Sequence, residues 1–138
     1  MPTKDIYHEA VKKALIKDGW IITNDPLVLQ FGGVDLYVDL GAEKMLAAKR
    51  NGQQIAVEIK TFAKKSFVYE FHLAMGQFIN YRHVLTETDP SRILYLAVPE
   101  DTYEAYFKLL FTQSILESYQ VKFLVYNSEA EVIVKWKT

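Results

Sequence analysis

Residues 43–60 read EKMLAAKRNGQQIAVEIK, and this stretch decides how the rest of the chain is interpreted. Apolar residues alternate with others at Ile55, Val57 and Ile59, which is typical of a β-strand with one buried face. Asn51-Gly52 is a dipeptide that readily adopts a two-residue type I′ turn. The stretch is therefore predicted to be a β-hairpin that turns at Asn51-Gly52.

A two-residue turn fixes which residues of the two arms face each other. In that register Glu43 faces Lys60 directly and lies diagonal to Glu58, within roughly 8 Å. Two carboxylates and one amine are predicted to converge on the polar face of the hairpin.

Such a carboxylate pair can hold a hard divalent cation, Mg²⁺ or Mn²⁺, through oxygen ligands. A neighbouring ammonium can position an attacking water or stabilise the charge that develops during phosphodiester hydrolysis. The alternative is a solvated surface pair, because exposed strand faces commonly carry charged residues. The hairpin alone leaves both interpretations open.

A second acid precedes the hairpin. Apolar and polar residues alternate from Val34 to Leu40, and Asp39 lies on the polar side. In the register predicted above, Asp39 lies beyond Lys60, and a bend is expected at Gly41-Ala42. Glu43 is therefore the preferred first metal ligand, and Asp39 is a further candidate ligand.

Two helices flank these strands. Residues 4–18 have the apolar spacing of an amphipathic helix, with His8 at the border of its apolar face and Glu9 pointing away. Residues 67–85 predict a long helix on which Gln77 and Tyr81 are one turn apart and lie side by side. His8, Gln77 and Tyr81 could frame the site or simply pack at the edge of the core.

The run RILYLAV at residues 92–98 is apolar throughout, which favours a strand buried on both faces in the middle of a sheet. The helix before it predicts a right-handed parallel crossover from residues 55–60. Closing strands are expected at residues 120–126 and 131–136. The chain is predicted to be a single α/β domain, residues 1–138, with helices on both faces of a mixed sheet.

Composition excludes several classes of protein. The 138 residues include no cysteine, so disulfides and cysteine-ligated zinc are excluded. A net charge of −1 disfavours bulk electrostatic coating of nucleic acid, although a nuclease needs basic residues only in one groove. No run of about 18 apolar residues is present, so the sequence predicts no membrane span and a cytoplasmic location.

A strand acid, a turn and a hydrophobic strand that ends in Glu-x-Lys resemble the PD-(D/E)xK nuclease superfamily, with its restriction-endonuclease-like fold. A longer set of runs is similar to the XisH family, described as controlling factors for excision of the fdxN element in cyanobacteria. These runs are KDIYHEAVKKALIKDGW, FGGVDLYVDLGAEKMLAAKR, IAVEIKTF, GQFINYR, RILYLAVPEDTYE and IVKWK. The similarity extends nearly end to end.

The resemblance implies a restriction-endonuclease-like domain with a Mg²⁺- or Mn²⁺-dependent nuclease site. Glu43 and Glu58 would hold the metal, and Lys60 would act on the attacking water. His8 stands where resolvase-like relatives carry a helix acid. Gln77 and Tyr81 resemble the Gln-x-x-x-Tyr element of RecB-type nucleases.

The resemblance also implies partners: DNA, a XisI-like protein and a recombinase that excises a DNA element. The competing hypothesis is a catalytically silent regulatory module that binds the XisI-like partner or the recombinase. The near-neutral charge slightly favours that hypothesis, whereas the convergence of two acids and a lysine favours the enzyme. The oligomeric state, a homo-oligomer included, is left open by the sequence.

Overall fold

The computed structural model describes residues 6–44, 52–62 and 66–138. The helices are α1 (His8–Lys17), α2 (Phe67–Thr88), α3 (Glu100–Thr102) and α4 (Leu110–Ser118), and a π-helical turn (Tyr103–Phe107) links the last two. The strands are β1 (Ile21–Asn24), β2 (Leu27–Phe31), β3 (Val34–Val38), β4 (Leu40–Lys44), β5 (Gln53–Ile59), β6 (Arg92–Pro99), β7 (Phe123–Asn127) and β8 (Val132–Lys137).

Six strands form one mixed sheet in the order β1-β4-β5-β6-β7-β8, and β2 and β3 form a separate antiparallel pair. Strand β6 pairs in parallel with both β5 and β7, while the outer pairs of the large sheet are antiparallel. The predicted interior strand is therefore confirmed, with α2 crossing between β5 and β6 in the chain. The predicted mixed α/β fold is confirmed as well.

Helices cover both faces of the large sheet. On one face, α1 contributes Val11 and Leu15 to a core with Leu40, Val57 and Tyr95. On the other face, α2, the π-helical turn and α4 pack on the sheet. The buried residues of that second core include Phe71, Phe78, Phe107, Leu116, Ala56, Leu96, Val98 and Phe123. The alternation of β5 sends Ala56 to the α2 face and Val57 to the α1 face, as a doubly covered strand requires.

The predicted hairpin register was wrong. In the structure Leu40 pairs with Val57, and Glu43 pairs with Gln54 rather than with Lys60. The observed pairing of Lys44 with Gln53 differs from the pairing that a two-residue turn at Asn51-Gly52 would give. Asn51 lies outside the described residues. The observed register buries Leu40 completely against the α1 core, and this burial outweighs the local turn preference of Asn51-Gly52.

The strand predicted from Val34 onwards is interrupted at Asp39. The chain leaves the β2–β3 pair there and enters the large sheet, so the bend lies at Asp39 and not at Gly41-Ala42. Gly41 instead sits inside β4 in a crowded position. A Cβ on Gly41 would lie 2.8 Å from Asn24 Oδ1 and 3.1 Å from an Arg92 guanidinium nitrogen, so a side chain here would displace the side chains of Asn24 and Arg92.

The helix predictions hold with two corrections. Helix α1 starts at His8 rather than at residue 4, and residues 1–5 lie outside the described part of the chain. Helix α2 extends to Thr88, beyond the predicted end at residue 85, and its apolar residues Val68 and Ile79 are 48% and 43% exposed. Within the described residues no helix is both long and apolar enough to cross a bilayer.

Candidate metal centre at the end of strand β5

Glu58 lies near the carboxyl end of the buried strand β5 and is only 6% exposed. Its side chain points to the α2 face, because it follows Ala56 at the two-residue period of a strand. The register that pairs Leu40 with Val57 places Asp39 directly across from Glu58. Asp39, and not Glu43, is thus the acid that faces Glu58.

Asp39 and Glu58 hold each other through reciprocal backbone contacts. The N–H of Asp39 donates to Glu58 Oε1 at 3.3 Å, and the N–H of Ile59 donates to Asp39 Oδ2 at 2.8 Å. The break in the strand at Asp39 lets its N–H reach a side chain instead of a strand partner.

Lys60 completes this group. Its Nζ lies 3.5 Å from Glu58 Oε2, and its side chain is 28% exposed whereas that of Glu58 is 8% exposed. The two residues are two apart on one strand, so both side chains project to the same face. The ammonium therefore stands at the boundary between a buried carboxyl group and solvent.

The electrostatics of the pair follow from burial and mutual repulsion. Burial, and then the nearby charge of Asp39, raise the pKa of Glu58 to about 8, although Lys60 opposes this shift. Burial also raises the pKa of Asp39, and the hydrogen bond from the Ile59 N–H offsets part of that effect. Two carboxylates in one buried site cannot both ionise without a counter-charge.

Tyr81 and Gln77 approach the pair from α2. Burial, followed by the charges of Glu58 and Asp39, raises the pKa of the Tyr81 phenol to about 12. Gln77 lies one turn earlier on the helix, and its Oε1 is buried without a hydrogen-bond partner in the part of the chain that the structure describes. The structure thus places Tyr81 in the electrostatic range of both acids, with Gln77 beside it.

His8 reaches the same end of the sheet from α1. It is only 3% exposed, more buried than its predicted border position implied. In its protonated form, His8 would lower the pKa of the Asp39 carboxyl. His8 Nε2 lies 2.7 Å from Asp25 Oδ1, and Lys12 Nζ lies 2.9 Å from Asp25 Oδ2.

The contact with Asp25 determines that Nε2 of His8 carries a proton. Burial tends to raise the pKa of Asp25, but hydrogen bonds from Lys12 and His8 outweigh it and hold that pKa below its usual value. An ionised carboxylate only accepts hydrogen bonds, so His8 Nε2 carries a proton and donates. His8 Nδ1 is buried and has no hydrogen-bond partner among the described residues.

Asp25 and Lys12 are site neighbours that sequence reasoning missed. Asp25 precedes Pro26 in the turn after β1, where an Asp normally indicates only turn chemistry. His8, Glu9 and Asp25 could by spacing share a metal ion. The Lys12 ammonium already lies between the acids, 2.9 Å from Asp25 and 3.9 Å from Glu9. We therefore interpret this cluster as an ion-pair network that supports His8.

Glu43 lies away from the pair. It is on the same face as Glu58, but its partner Gln54 is four residues before Glu58 on β5, a distance of about 13 Å along the strand. The predicted convergence of Glu43 with Glu58 and Lys60 was therefore wrong. A cavity of about 530 Å³ near β7, β8 and α4 is also remote, since Asp39, Glu58 and Lys60 do not line it.

Comparison with known proteins shows to which family the chain belongs. A family model described as XisH protein matches residues 1–134. The chain belongs to the XisH family. No curated protein sequence matches it.

Two solved structures of this family resemble the chain closely. An XisH family protein from Nostoc punctiforme PCC 73102 is 48% identical; the match covers 97% of this chain and 100% of that one, with a TM-score of 0.88. A fdxN element excision controlling factor protein from Anabaena variabilis is 50% identical; the match covers 98% of this chain and 100% of that one, again with a TM-score of 0.88. The mixed sheet described above is therefore the fold of XisH proteins.

Proposed function

We propose that this XisH protein is a metal-dependent DNA nuclease that acts in the excision of a DNA element. The observation that carries the proposal is the grouping of Asp39, Glu58 and Lys60 at one end of strand β5. Two acids and an amine on adjacent strands are the arrangement by which PD-(D/E)xK nucleases are recognised. The fold, with a parallel β5–β6 pair and α2 between them, is compatible with membership of that superfamily.

The donor set fits a hard divalent cation. Asp39 and Glu58 would hold Mg²⁺ or Mn²⁺, since both present carboxylate oxygens and burial disfavours the ionised form of each. Bound there, the cation would polarise a phosphate oxygen and lower the pKa of a water. It would also add positive charge beside the buried pair, next to that of Lys60.

The other residues act around the phosphodiester. Lys60 is half-buried and points to the solvent side of Glu58, where its ammonium would position the attacking water and stabilise charge on the phosphorus oxygens. Tyr81 and Gln77 would bound the site on the α2 side. His8, fixed by Asp25, would offer Nδ1 as an acceptor to a water or a DNA group near Asp39.

The place of this activity in the cell is proposed from the relatives. One of them is called a fdxN element excision controlling factor, which favours a role beside a recombinase that removes a DNA element from a chromosome. The resemblance noted in the sequence implies a XisI-like protein as partner. We expect the substrate to be DNA that is branched or single-stranded during excision. We expect the protein to act in the cytoplasm.

Cleavage assays test the proposal. Wild type, with Mg²⁺ or Mn²⁺, is expected to nick junction, flap or single-stranded DNA, alone or with the XisI-like partner. Lys60→Ala is expected to keep Mn²⁺ binding in calorimetry and lose cleavage, because it removes no metal ligand. Glu58→Ala and Asp39→Asn are expected to lose both. Glu129→Gln, at an exposed acid in the β7–β8 turn, is the matched control.

The second candidate is a catalytically silent module that binds the XisI-like partner or the recombinase. The specific observation in its favour is that Glu58, with a pKa near 8, is already neutralised by a proton at pH 7. A wild-type protein that binds Mn²⁺ without cutting any of the substrates, or a Lys60→Ala variant that cuts as well as wild type, would support this candidate and overturn the nuclease.

A further inference from the structure

Two cavities adjoin at the start of strand β7. The larger, of about 530 Å³, is lined by residues of α4, β7 and β8, and the smaller, of about 260 Å³, lies beside the second half of α2. Gln120 and Lys122 line both cavities, so the two meet at these residues. Together they form one elongated cleft, here named the β7 cleft. No residue of the candidate metal centre lines it.

The larger part of the β7 cleft has an excess of positive charge. Its lining includes Lys122, Lys135 and Lys137, and Glu117 is the one acid among its lining residues. None of the three lysines forms an ion pair with a described residue. Lys135 Nζ is held in place, because it donates to the Tyr103 hydroxyl at 2.7 Å. The whole chain has a net charge of −1, so this excess is local to the cleft.

A β-bulge in β8 turns two of these lysines towards the cleft. Adjacent residues of β7 pair with Ile133 and Lys135, so Val134 between them is an extra residue. Ile133 packs on the α1 core, and in a regular strand Lys135 and Lys137 would point to that side as well. The bulge reverses this, and Lys137 pairs with Phe123, which belongs to the core on the α2 side. Bulges commonly redirect side chains in this way next to functional sites.

Arg82 adds a further cation in the smaller part of the cleft. Its Nη1 donates to the carbonyl oxygens of Tyr119 at 2.8 Å and of Gln120 at 3.0 Å, which ties α2 to the end of α4. No described acid pairs with Arg82, whereas Arg92, the other arginine of this part, is paired with Asp89 at 2.9 Å. Four cations of the cleft thus have no acidic partner among the described residues: Arg82, Lys122, Lys135 and Lys137.

We propose that the β7 cleft binds the sugar–phosphate backbone of single-stranded DNA. Several unpaired cations along an elongated cleft match successive phosphates of one strand, whereas a single small anion needs only one or two of them. Cavities of about 530 and 260 Å³ admit one strand, and a duplex would contact only the rim. The proposal takes DNA as the partner from the proposed function, and it holds whether or not the metal centre cuts.

Fluorescence anisotropy with a labelled oligothymidine, in EDTA so that no cleavage occurs, tests this site. The logarithm of the dissociation constant should rise with the logarithm of the salt concentration with a slope of about 3, at roughly 0.7 for each of the four cations. Lys122→Gln and Lys137→Gln should each weaken binding and reduce the slope by about 0.7. Lys13→Gln, at an exposed lysine of α1 on the other face of the sheet, is the matched control and should leave the slope unchanged.

Glu117→Gln provides a test that misfolding cannot imitate. Glu117 lines the cleft and would repel a phosphate, so removing its charge is expected to lower the dissociation constant. Glu129→Gln removes the same charge in the β7–β8 turn, at the opposite end of these strands from Lys137, and should leave the constant unchanged.

Three results would overturn the proposal. The wild type could fail to bind the oligothymidine, both lysine variants could keep the wild-type salt slope, or thymidine monophosphate could bind as tightly as the strand. The last result would mean that the cleft is a pocket for a free nucleotide. Binding in EDTA that responds to these variants, in a protein that never cuts DNA with Mn²⁺, would support the β7 cleft while the proposed nuclease fails.

Discussion

The two ends of the β4–β5 pair carry similar residues in different surroundings. At one end, Glu58 faces Asp39 and is 6% exposed. At the other end, Glu43 faces Gln54 and is half-buried. Glu43 on β4 and Glu58 on β5 lie on the same face of the sheet, so the local strand geometry does not distinguish them.

Their surroundings do distinguish them. Glu58 lies under α2, where burial and the Asp39 carboxylate raise its pKa to about 8. Glu43 lies beside the neutral amide of Gln54, which is four residues before Glu58 on β5. A strongly shifted acid with a charged partner is typical of functional sites. Burial under α2, and not position on a polar strand face, is therefore what identifies Glu58 as the candidate functional acid.

The largest expected effect is on stability against pH in metal-free buffer. The pKa of Glu58 is about 8 in the folded protein and 4.5 ordinarily, so the folded state binds the proton more tightly than the unfolded state. The stability that this proton contributes is complete below about pH 4.5 and is lost as pH rises through about 8. We expect wild type to lose on the order of 3 kcal/mol across this range.

Urea denaturation over a pH series measures this loss. Glu58→Gln keeps the shape of the side chain without its titration, so its free energy of unfolding should change much less between about pH 5 and about pH 9. Glu43→Gln should follow the wild-type curve. Parallel curves for wild type and Glu58→Gln would show that Glu58 does not carry the buried proton.

The second-largest expected effect is that of replacing Gly41, which lies on β4 midway between Asp39 and Glu43. Its Cβ position is 2.8 Å from Asn24 Oδ1 and 3.1 Å from Arg92, so Gly41→Ala must displace the side chain of Asn24 or that of Arg92. We expect a loss of about 2 kcal/mol in the free energy of unfolding, within the range for overpacked sites. Gly33→Ser in the β2–β3 turn is no control because its φ is positive. Gly76→Ala, in open space, is a suitable one.

Much of the fold could be predicted because its signals were long and repetitive. The apolar run at residues 92–98 required a strand buried on both faces, and the structure places β6 in the sheet interior. The hairpin register could not be predicted from Asn51-Gly52, because the burial of Leu40 and Ala42 under α1 determined it. The turn preference of Asn51-Gly52 contributes less free energy than the burial of the Leu40 and Ala42 side chains.

The wrong hairpin register also led to the preference for Glu43 over Asp39 as the first metal ligand. Both Asp39 and Glu43 were candidates, and only the true register brings Asp39 opposite Glu58. The support of His8 by Asp25 was not predictable, since these residues are 17 positions apart and meet through the packing of α1 on the turn after β1. Long-range contacts between isolated polar residues leave no periodic pattern in a sequence.

The smallest expected effect is that of Glu43→Gln, and it is the sharpest test of the comparison. Glu43 is half-buried beside Gln54, and the one lysine adjacent to it in sequence, Lys44, contacts Asp18 instead at 3.8 Å. Replacing it should change the free energy of unfolding by less than about 0.5 kcal/mol, as for most substitutions outside special sites. Mn²⁺ affinity should also be unchanged, since about 13 Å of strand separates Glu43 from Glu58. Calorimetric titration of Mn²⁺ into Glu43→Gln and Glu58→Gln, side by side, measures this difference. Equal loss of binding in both variants would mean that Glu43 reaches the metal, and the assignment of Asp39 as the first acid would then fail.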